Sequence, residues 1–309
     1  MLSVVIPVYN EVESIGPLHS QLKKVFDSMG SPYEIIFVDD GSDDGSYEAL
    51  KSLSEMHEQV RVVKFRRNFG QTAAIDAGFT HASGSVIVSM DADLQNDPAD
   101  IPRLLEKLDE GYDVVCGWRH QRHDPLSKTL PSAFANRLRK LLTGEEIHDS
   151  GCSLRAYTRE SVSELELYGE MHRYIPSLLT WKGFKLGEVK VNHRPREHGK
   201  TKYSSGRLIN GLFDLLFVKF WSDYSTRPLH FFGNFGVSQY LLAGLIFVEQ
   251  IIKALIIGRL EAGPLLMLGI LLTITGMLSI IFGFLSEIMI RAYFSGSKFK
   301  FYSVEEVLD

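Results

Sequence analysis

The chain has 309 residues, of which 45% are hydrophobic and 23% charged, and its formal net charge is −5. This mild net acidity argues against a nucleic-acid partner, because binding along a phosphate backbone requires clustered lysine and arginine. The two cysteines, Cys116 and Cys152, are too few for a disulfide framework, and we interpret them as reduced thiols.

The first part of the chain alternates strand and helix patterns. Short apolar runs rich in β-branched residues predict five strands, at residues 2–9, 33–40, 60–65, 85–93 and 112–119. Helical spacing of apolar residues predicts four helices, at residues 12–29, 47–57, 71–82 and 100–110. This alternation predicts an α/β fold with a mainly parallel sheet covered on both faces. Because no signal-peptide pattern precedes the first strand, we expect this part to stay in the cytoplasm.

Two acidic pairs stand where predicted strands end. Asp39 and Asp40 close the second strand, and Asp91 and Asp93 close the fourth. Ligands of parallel α/β sheets bind at the carboxyl ends of the strands, so both pairs are expected at one site. Because the fourth predicted strand runs through Asp93 and side chains alternate along a strand, we expect the side chains of Asp91 and Asp93 to point the same way. Such a pair can hold Mg²⁺ or Mn²⁺, which in turn neutralises a pyrophosphate.

The C-terminal part is apolar. Residues 206–221 have the spacing of an amphipathic helix, with an aromatic end that suits the headgroup layer of a membrane. Residues 231–248 and 262–286 contain no charged side chain. The first run is long enough for most of a membrane-spanning helix, and the second is long enough to cross the bilayer. The sequence therefore predicts a transmembrane hairpin with helices at about 231–257 and 263–289.

Charge bias predicts the orientation of this hairpin. One cation, Arg259, lies in the connecting turn, whereas five flank the outer edges of the hairpin: Lys219, Arg227, Arg291, Lys298 and Lys300. By the positive-inside rule, both termini are expected in the cytoplasm. We predict four segments: a cytosolic α/β domain (1–205), an amphipathic interfacial region (206–228), the hairpin (229–290) and a cytoplasmic tail (291–309).

The motifs and their order resemble a known enzyme family. The segments "VVIPVYNE", "VDDGSDDGS", "NFGQTAAIDAG" and "DADLQ" are similar to those of family-2 glycosyltransferases, which have the Rossmann-like GT-A fold. The later "GWR", "SGCSLRAY", "GEMHRYIP" and "HGKTKY" segments, followed by two spans, resemble the polyprenyl-phosphate branch of that family. This branch includes dolichol-phosphate mannose synthases and bacterial undecaprenyl-phosphate sugar transferases.

The resemblance implies metal-dependent, inverting transfer of one sugar from a UDP- or GDP-linked donor to a polyprenyl phosphate. It assigns the nucleotide-sugar to ten residues: Pro7, Tyr9, Glu11, Val38, Asp39, Asp40, Asp91, Ala92, Asp93 and Arg119. It assigns the metal, Mg²⁺ or Mn²⁺, to Asp91, Asp93 and Gln95, which with Arg119 form the catalytic set. The expected acceptor-phosphate residues are Lys128, Ser132, Arg194, Arg196 and Lys202, with His172 and Arg173 as further options.

The acceptor phosphate is the expected nucleophile. Because the second pKa of a phosphomonoester is about 6, this group is largely dianionic at neutral pH and has little need of a general base. Some relatives carry an acidic residue at the position of Cys152, which leaves Asp149 as a weak substitute for a base.

Three other functions fit the sequence less well. A processive polysaccharide synthase usually adds a Q-x-x-R-W segment and more spans, which this sequence lacks. An inactive membrane scaffold has no need of the acidic pair at Asp91 and Asp93. A dinucleotide oxidoreductase is excluded because no G-x-G-x-x-G follows the first strand. The sugar, the polyprenol and a homo-oligomeric state remain open.

Overall fold

The computed structural model describes residues 1–120, 147–167, 169–195, 213, 216, 219–221, 223–224, 227–259 and 263–296. The chain forms two compact units, Met1–Lys219 and Phe220–Asp309. Each unit has its own architecture.

The first unit is built on a seven-stranded mixed sheet. Its strands are β1 (Leu2–Val8), β2 (Tyr33–Asp39), β3 (Val60–Lys64), β4 (Val86–Ser89), β5 (Val114–Trp118), β6 (Arg155–Thr158) and β7 (Leu186–Lys190). Their order across the sheet is β3-β2-β1-β4-β6-β5-β7. All neighbouring strands are parallel except β6, which is antiparallel to both β4 and β5. The predicted mainly parallel α/β sheet is thereby confirmed.

Helices cover both faces of this sheet. They are α1 (Val12–Met29), α2 (Ser46–Met56), α3 (Gln71–His81), α4 (Ile101–Asp109), α5 (Arg159–Ser163) and α6 (Ile175–Trp181). The side chains of α1, α2 and α4 form a core with one face, and those of α3 and α6 form a second core with the other. Gly78 lets α3 approach β1 closely, because a Cβ at this position would overlap the side chain of Val5.

Two strands were missed by the sequence prediction. β6 has four residues and β7 has five, and each includes a charged side chain. The apolar runs in these two strands are too short to be recognised in the sequence. Both strands depend on pairing with β4 and β5. The consequence for the site is that β6 brings Arg155 into the middle of the sheet.

The predicted extent of the fourth strand is wrong. β4 ends at Ser89, and residues 92–94 form a bend. Leu94 has a φ of 61°, in the left-handed region that non-glycine residues rarely adopt. The chain therefore turns away from the sheet before Asp93, and strand alternation does not set the directions of Asp91 and Asp93.

The second unit contains two long apolar helices, α7 (Pro228–Ile257) and α8 (Pro264–Gly296). The most apolar 18-residue stretches of these helices have mean hydropathies of 2.0 and 2.5, and only 17% and 11% of those stretches are buried. So much exposed apolar surface fits lipid rather than water, which supports membrane association and the predicted hairpin. The helices meet at glycines: a Cβ on Gly236 would lie 2.7 Å from the carbonyl oxygen of Gly276. The interfacial region at 206–228 stays a prediction, because most of it lies outside the described residues.

Candidate functional site

The carboxyl ends of β1, β2 and β4 lie side by side, because these strands are parallel neighbours. The β1–α1 loop carries Tyr9, which is 36% exposed, and the half-buried Glu11. Pro7 pairs in register with the fully buried Val38 of β2. The structure thus brings the predicted donor-binding segments to one edge of the sheet.

The turn after β2 fixes the conformation of the β1–α1 loop. Asn10 has a φ of 54°, and its side chain exchanges hydrogen bonds of 2.7 and 2.9 Å with the side chain and main chain of Asp43. The Ser46 hydroxyl accepts a bond from the main-chain N–H of Glu11 at 3.0 Å. Asn10 and the main chain of Glu11, which follow Tyr9, are therefore held in place by the neighbouring loop.

Asp39 and Asp40 have different environments. Both oxygens of Asp40 accept main-chain bonds at the start of α3, from Phe69 at 2.7 Å and Gly70 at 2.9 Å. Asp39 is fully buried and accepts from the main chain of Ser42 at 3.2 Å through Oδ1. Its Oδ2 has no hydrogen-bond partner among the described residues. A buried acceptor without a donor is costly, so Asp39 is suited to receive an N–H from a ligand.

Asp91 and Asp93 form the acidic centre of the site. Asp91 is partly exposed and Asp93 is 7% exposed. The side-chain amide of Gln71, the first residue of α3, donates to Asp91 Oδ1 at 2.7 Å. Burial, together with repulsion from Asp93, raises the pKa of Asp91 to about 6, while the nearby hydroxyl of Ser153 opposes the rise. Two carboxylates that repel each other in this way favour a bound cation.

Gln95 continues this segment. Its main-chain N–H donates to Asp93 Oδ1 at 3.2 Å, and its amide group lies 3.4 Å from the carbonyl oxygen of Arg194. A main-chain bond of 2.9 Å from Arg194 back to Gln95 aligns the two segments. The guanidinium of Arg194 bonds Gln21 at 2.8 Å and Asp97 at 2.7 Å. These contacts hold the Arg194 side chain in place. Its role at the acceptor phosphate stays a prediction.

Arg119 follows β5 and forms a two-bond ion pair with Asp149. Its Nε lies 2.7 Å from Asp149 Oδ2, and its Nη2 lies 3.0 Å from Oδ1. Burial opposes the charge of Arg119, but Asp149 outweighs it and raises the pKa of the guanidinium. The Asp149 carboxylate also accepts from the main chains of Arg119 and Gly151. Asp149 is thus already committed as an acceptor, which favours a role in placing Arg119 over that of a base.

Cys152 is an unsuitable base as well. It is fully buried, and burial raises the pKa of its thiol to about 11. The thiol is therefore neutral at physiological pH, at the position where some relatives carry an acid.

Sequence reasoning missed three polar residues beside Asp91. Gln71 donates to it, while the hydroxyl of Ser153 and the buried guanidinium of Arg155 in β6 are close enough to lower the pKa of Asp91. The guanidinium of Arg155 donates to the carbonyl oxygens of Ser150 at 2.5 Å and His172 at 3.1 Å. The motifs "NFGQ" and "SGCSLRAY" contain all three residues, but their spacing gave no sign of these contacts.

The predicted acceptor residues are only partly described. His172 Nδ1 lies 2.7 Å from the Thr72 hydroxyl, and Arg173 pairs with Glu170 at 2.7 Å. Four further predicted residues lie outside the described part of the chain: Lys128, Ser132, Arg196 and Lys202.

The donor set fits a hard divalent cation. Within the described residues no cluster of three histidine, cysteine or acidic side chains exists. Mg²⁺ and similar ions, however, commonly use one or two carboxylates and complete their coordination with water and substrate phosphates. Asp91 and Asp93 supply two such carboxylates at the edge where a nucleotide would bind, with the Gln95 side chain nearby.

Comparisons with known proteins agree with this architecture. Residues 3–166 match the model of "Glycosyl transferase family 2". The chain is 38% identical over 314 residues to a dodecaprenyl-phosphate galacturonate synthase of Rhizobium johnstonii, an alignment that covers 100% of this chain and 93% of that protein.

Solved structures give a likeness of fold. The crystal structure of glucosyl-3-phosphoglycerate synthase from Mycobacterium tuberculosis with Mn²⁺ and UDP-glucose has a TM-score of 0.56 at 19% identity, over 71% of this chain and 78% of that one. The complex of the same enzyme that also contains phosphoglyceric acid has a TM-score of 0.57 at 18% identity, over 71% and 79% of the two chains.

Proposed function

The chain belongs to glycosyltransferase family 2, and we propose that it transfers one sugar from a nucleotide-sugar to a polyprenyl phosphate. The observation that carries the proposal is the full-length similarity to a dodecaprenyl-phosphate galacturonate synthase, which extends through the two apolar helices. A lipid acceptor explains why a sugar-transfer domain is joined to helices that suit a bilayer.

The donor nucleotide binds at the edge formed by β1 and β2. Tyr9 offers an exposed ring to the base, and Glu11 offers an acceptor to the ribose. The Asp39 Oδ2 atom accepts an N–H from the base, which both uracil and guanine can donate. Asp40 acts indirectly, by fixing the start of α3 beside the nucleotide.

The diphosphate lies at Asp91 and Asp93. These residues, with Gln95, hold the divalent cation, which when bound supplies positive charge that stabilises the departing nucleoside diphosphate. Arg119 adds a fixed positive charge next to this centre, and Asp149 holds the guanidinium in one orientation. Preorganised charge of this kind stabilises a transition state without reorganisation during the reaction.

The reaction is a single displacement with inversion. A non-bridging oxygen of the acceptor phosphate attacks the anomeric carbon, and the bond from that carbon to the nucleoside diphosphate breaks. Because the acceptor is already largely dianionic at neutral pH, no protein base is required. The main task of the site is to bring two anionic groups together, which costs electrostatic energy that Arg119 helps to offset.

The catalytic unit lies on the cytoplasmic side of the membrane, where nucleotide-sugars are made, and α7 and α8 cross the bilayer with both termini in the cytoplasm. The charge bias of the flanking segments supports this topology. The donor sugar is open, and the relative makes UDP-galacturonate the first candidate in a panel that also includes UDP-glucose, UDP-N-acetylglucosamine and GDP-mannose.

The proposal is tested by incubating the purified full-length protein with Mg²⁺, a polyprenyl phosphate and each labelled donor, followed by organic extraction. Label that enters the organic phase from one donor, and fails to do so with EDTA, supports the proposal and identifies the sugar. Label that accumulates as a water-soluble polymer would instead favour a processive synthase.

A further inference from the structure

The first turn of α3 connects three parts of the site. Its start is fixed by Asp40, whose two oxygens accept the main-chain N–H groups of Phe69 and Gly70. Gly70 has a φ of 97°, a conformation that L-residues rarely adopt, so the helix begins in a defined direction. The next residue, Gln71, donates its side-chain amide to Asp91 at 2.7 Å. The end of β2 thereby determines where a donor to Asp91 is placed.

The Asp91 carboxylate accepts its hydrogen bond from a neutral group, although the charges of Arg119 and Arg155 also act on it. Gln71 donates to it at 2.7 Å, and the hydroxyl of Ser153, which accepts from the Asn96 amide at 2.8 Å, lies close by. Neutral donors fix the orientation of a carboxylate without cancelling its charge. A lysine or arginine at position 71 would form an ion pair and compete with a cation. The combination of fixed geometry and retained charge is what a metal-binding carboxylate needs.

We propose that Gln71 is a positioning residue that orients Asp91 for the divalent cation. It acts through Asp91 and does not itself bind the metal. The inference rests on the proposed metal site, and it assigns a function to a residue of the "NFGQ" segment. Because hydrogen-bond partners of ligating side chains commonly contribute about 10- to 100-fold to metal affinity, we expect a loss of that size when the amide is removed.

The test is Mn²⁺ binding to the full-length protein in detergent, measured from the EPR signal of free Mn²⁺ with and without UDP. Gln71→Met keeps the length of the side chain and removes the donor. Gln59→Met is the matched control, because Gln59 is an exposed glutamine that precedes β3 at the opposite edge of the sheet. Because Gln71 is exposed as well, neither Gln71→Met nor Gln59→Met should lower the thermal midpoint of the protein. If Gln71→Met does lower it, Gln71→Ala serves as a second variant.

The expected result is a Kd for Mn²⁺ that rises about 10- to 100-fold in Gln71→Met and stays unchanged in Gln59→Met. At saturating Mn²⁺ the kcat of Gln71→Met should approach that of the wild type, because only the placement of the ligand has changed. Equal Mn²⁺ affinity in the wild type and both Gln71 variants would overturn the inference and leave the metal site intact. If the wild type itself does not bind Mn²⁺, with or without UDP, the proposed metal site fails and the inference with it.

Discussion

The ion pair between Arg119 and Asp149 gives the sharpest prediction about catalysis. Asp149→Asn keeps the shape of the side chain but removes the charge that holds the guanidinium through bonds of 2.7 and 3.0 Å. A hydrogen bond to a charged group contributes about 1.5–3 kcal/mol, so losing the orientation of Arg119 should lower kcat/KM roughly 10- to 150-fold. Arg119→Gln should have an effect at least as large, because it removes the positive charge itself.

A double-mutant cycle separates positioning from base catalysis. If Asp149 acts only through Arg119, the double variant should be no worse than Arg119→Gln alone. A thermal melt of each variant is the control, because breaking a buried pair can cost about 3–5 kcal/mol of stability. Multiplicative losses would refute the reasoning. A pH profile of kcat that loses an ionising limb in Asp149→Asn but keeps it in Arg119→Gln would also refute the reasoning, because such a loss is the signature of a base.

Three further predictions concern the cation, the fold and the hairpin. Asp93→Ala should abolish turnover while the protein stays folded and membrane-bound, and full activity of this variant in metal-free buffer would contradict the metal assignment. Burial alone would raise the pKa of Glu34, but the hydrogen bonds that it accepts, one of them from Arg61, lower it. The stabilisation from these hydrogen bonds is complete at neutral pH and is lost as the pH falls below about 4.3, the ordinary pKa of glutamate. Glu34→Gln should therefore lower the free energy of unfolding by about 1–3 kcal/mol at pH 7 and by less in acid. A loss that does not depend on pH would argue against this. Gly236→Leu should lower the thermal midpoint in detergent, because a Cβ at position 236 would meet α8. Gly244→Leu is the control and should not lower it, because the space around Gly244 is open. Equal shifts in the two variants would argue against packing of the helices at glycines.

The parallel part of the fold was predictable because its signals are local. β1 and β2 are buried apolar runs whose bounds differ from the prediction by one residue at most. β6 and β7 depend on partners distant in the sequence, and no periodicity marks them. The end of β4 was placed too late, because the left-handed turn at Leu94 depends on tertiary packing rather than on a glycine that the sequence would reveal.

The site was predictable as a location and less so as a set of contacts. Parallel strand ends brought the acidic pairs to one edge, as expected from topology. The partners of Asp91 and Arg119, however, lie 20 and 30 residues away along the chain, at Gln71 and Asp149. Such pairs follow from the folded arrangement of loops, and a motif identifies their members without identifying the bond between them.

The mass of the lipid product shows most directly which bond the enzyme forms. The wild-type protein is incubated with polyprenyl phosphate and the donor that transfers label, and the extracted lipid is analysed by mass spectrometry. Our account predicts one sugar joined to one phosphate, with the nucleoside diphosphate released into the aqueous phase. A lipid with a diphosphate, accompanied by nucleoside monophosphate, would show transfer of a sugar phosphate and contradict the proposed attack at the anomeric carbon.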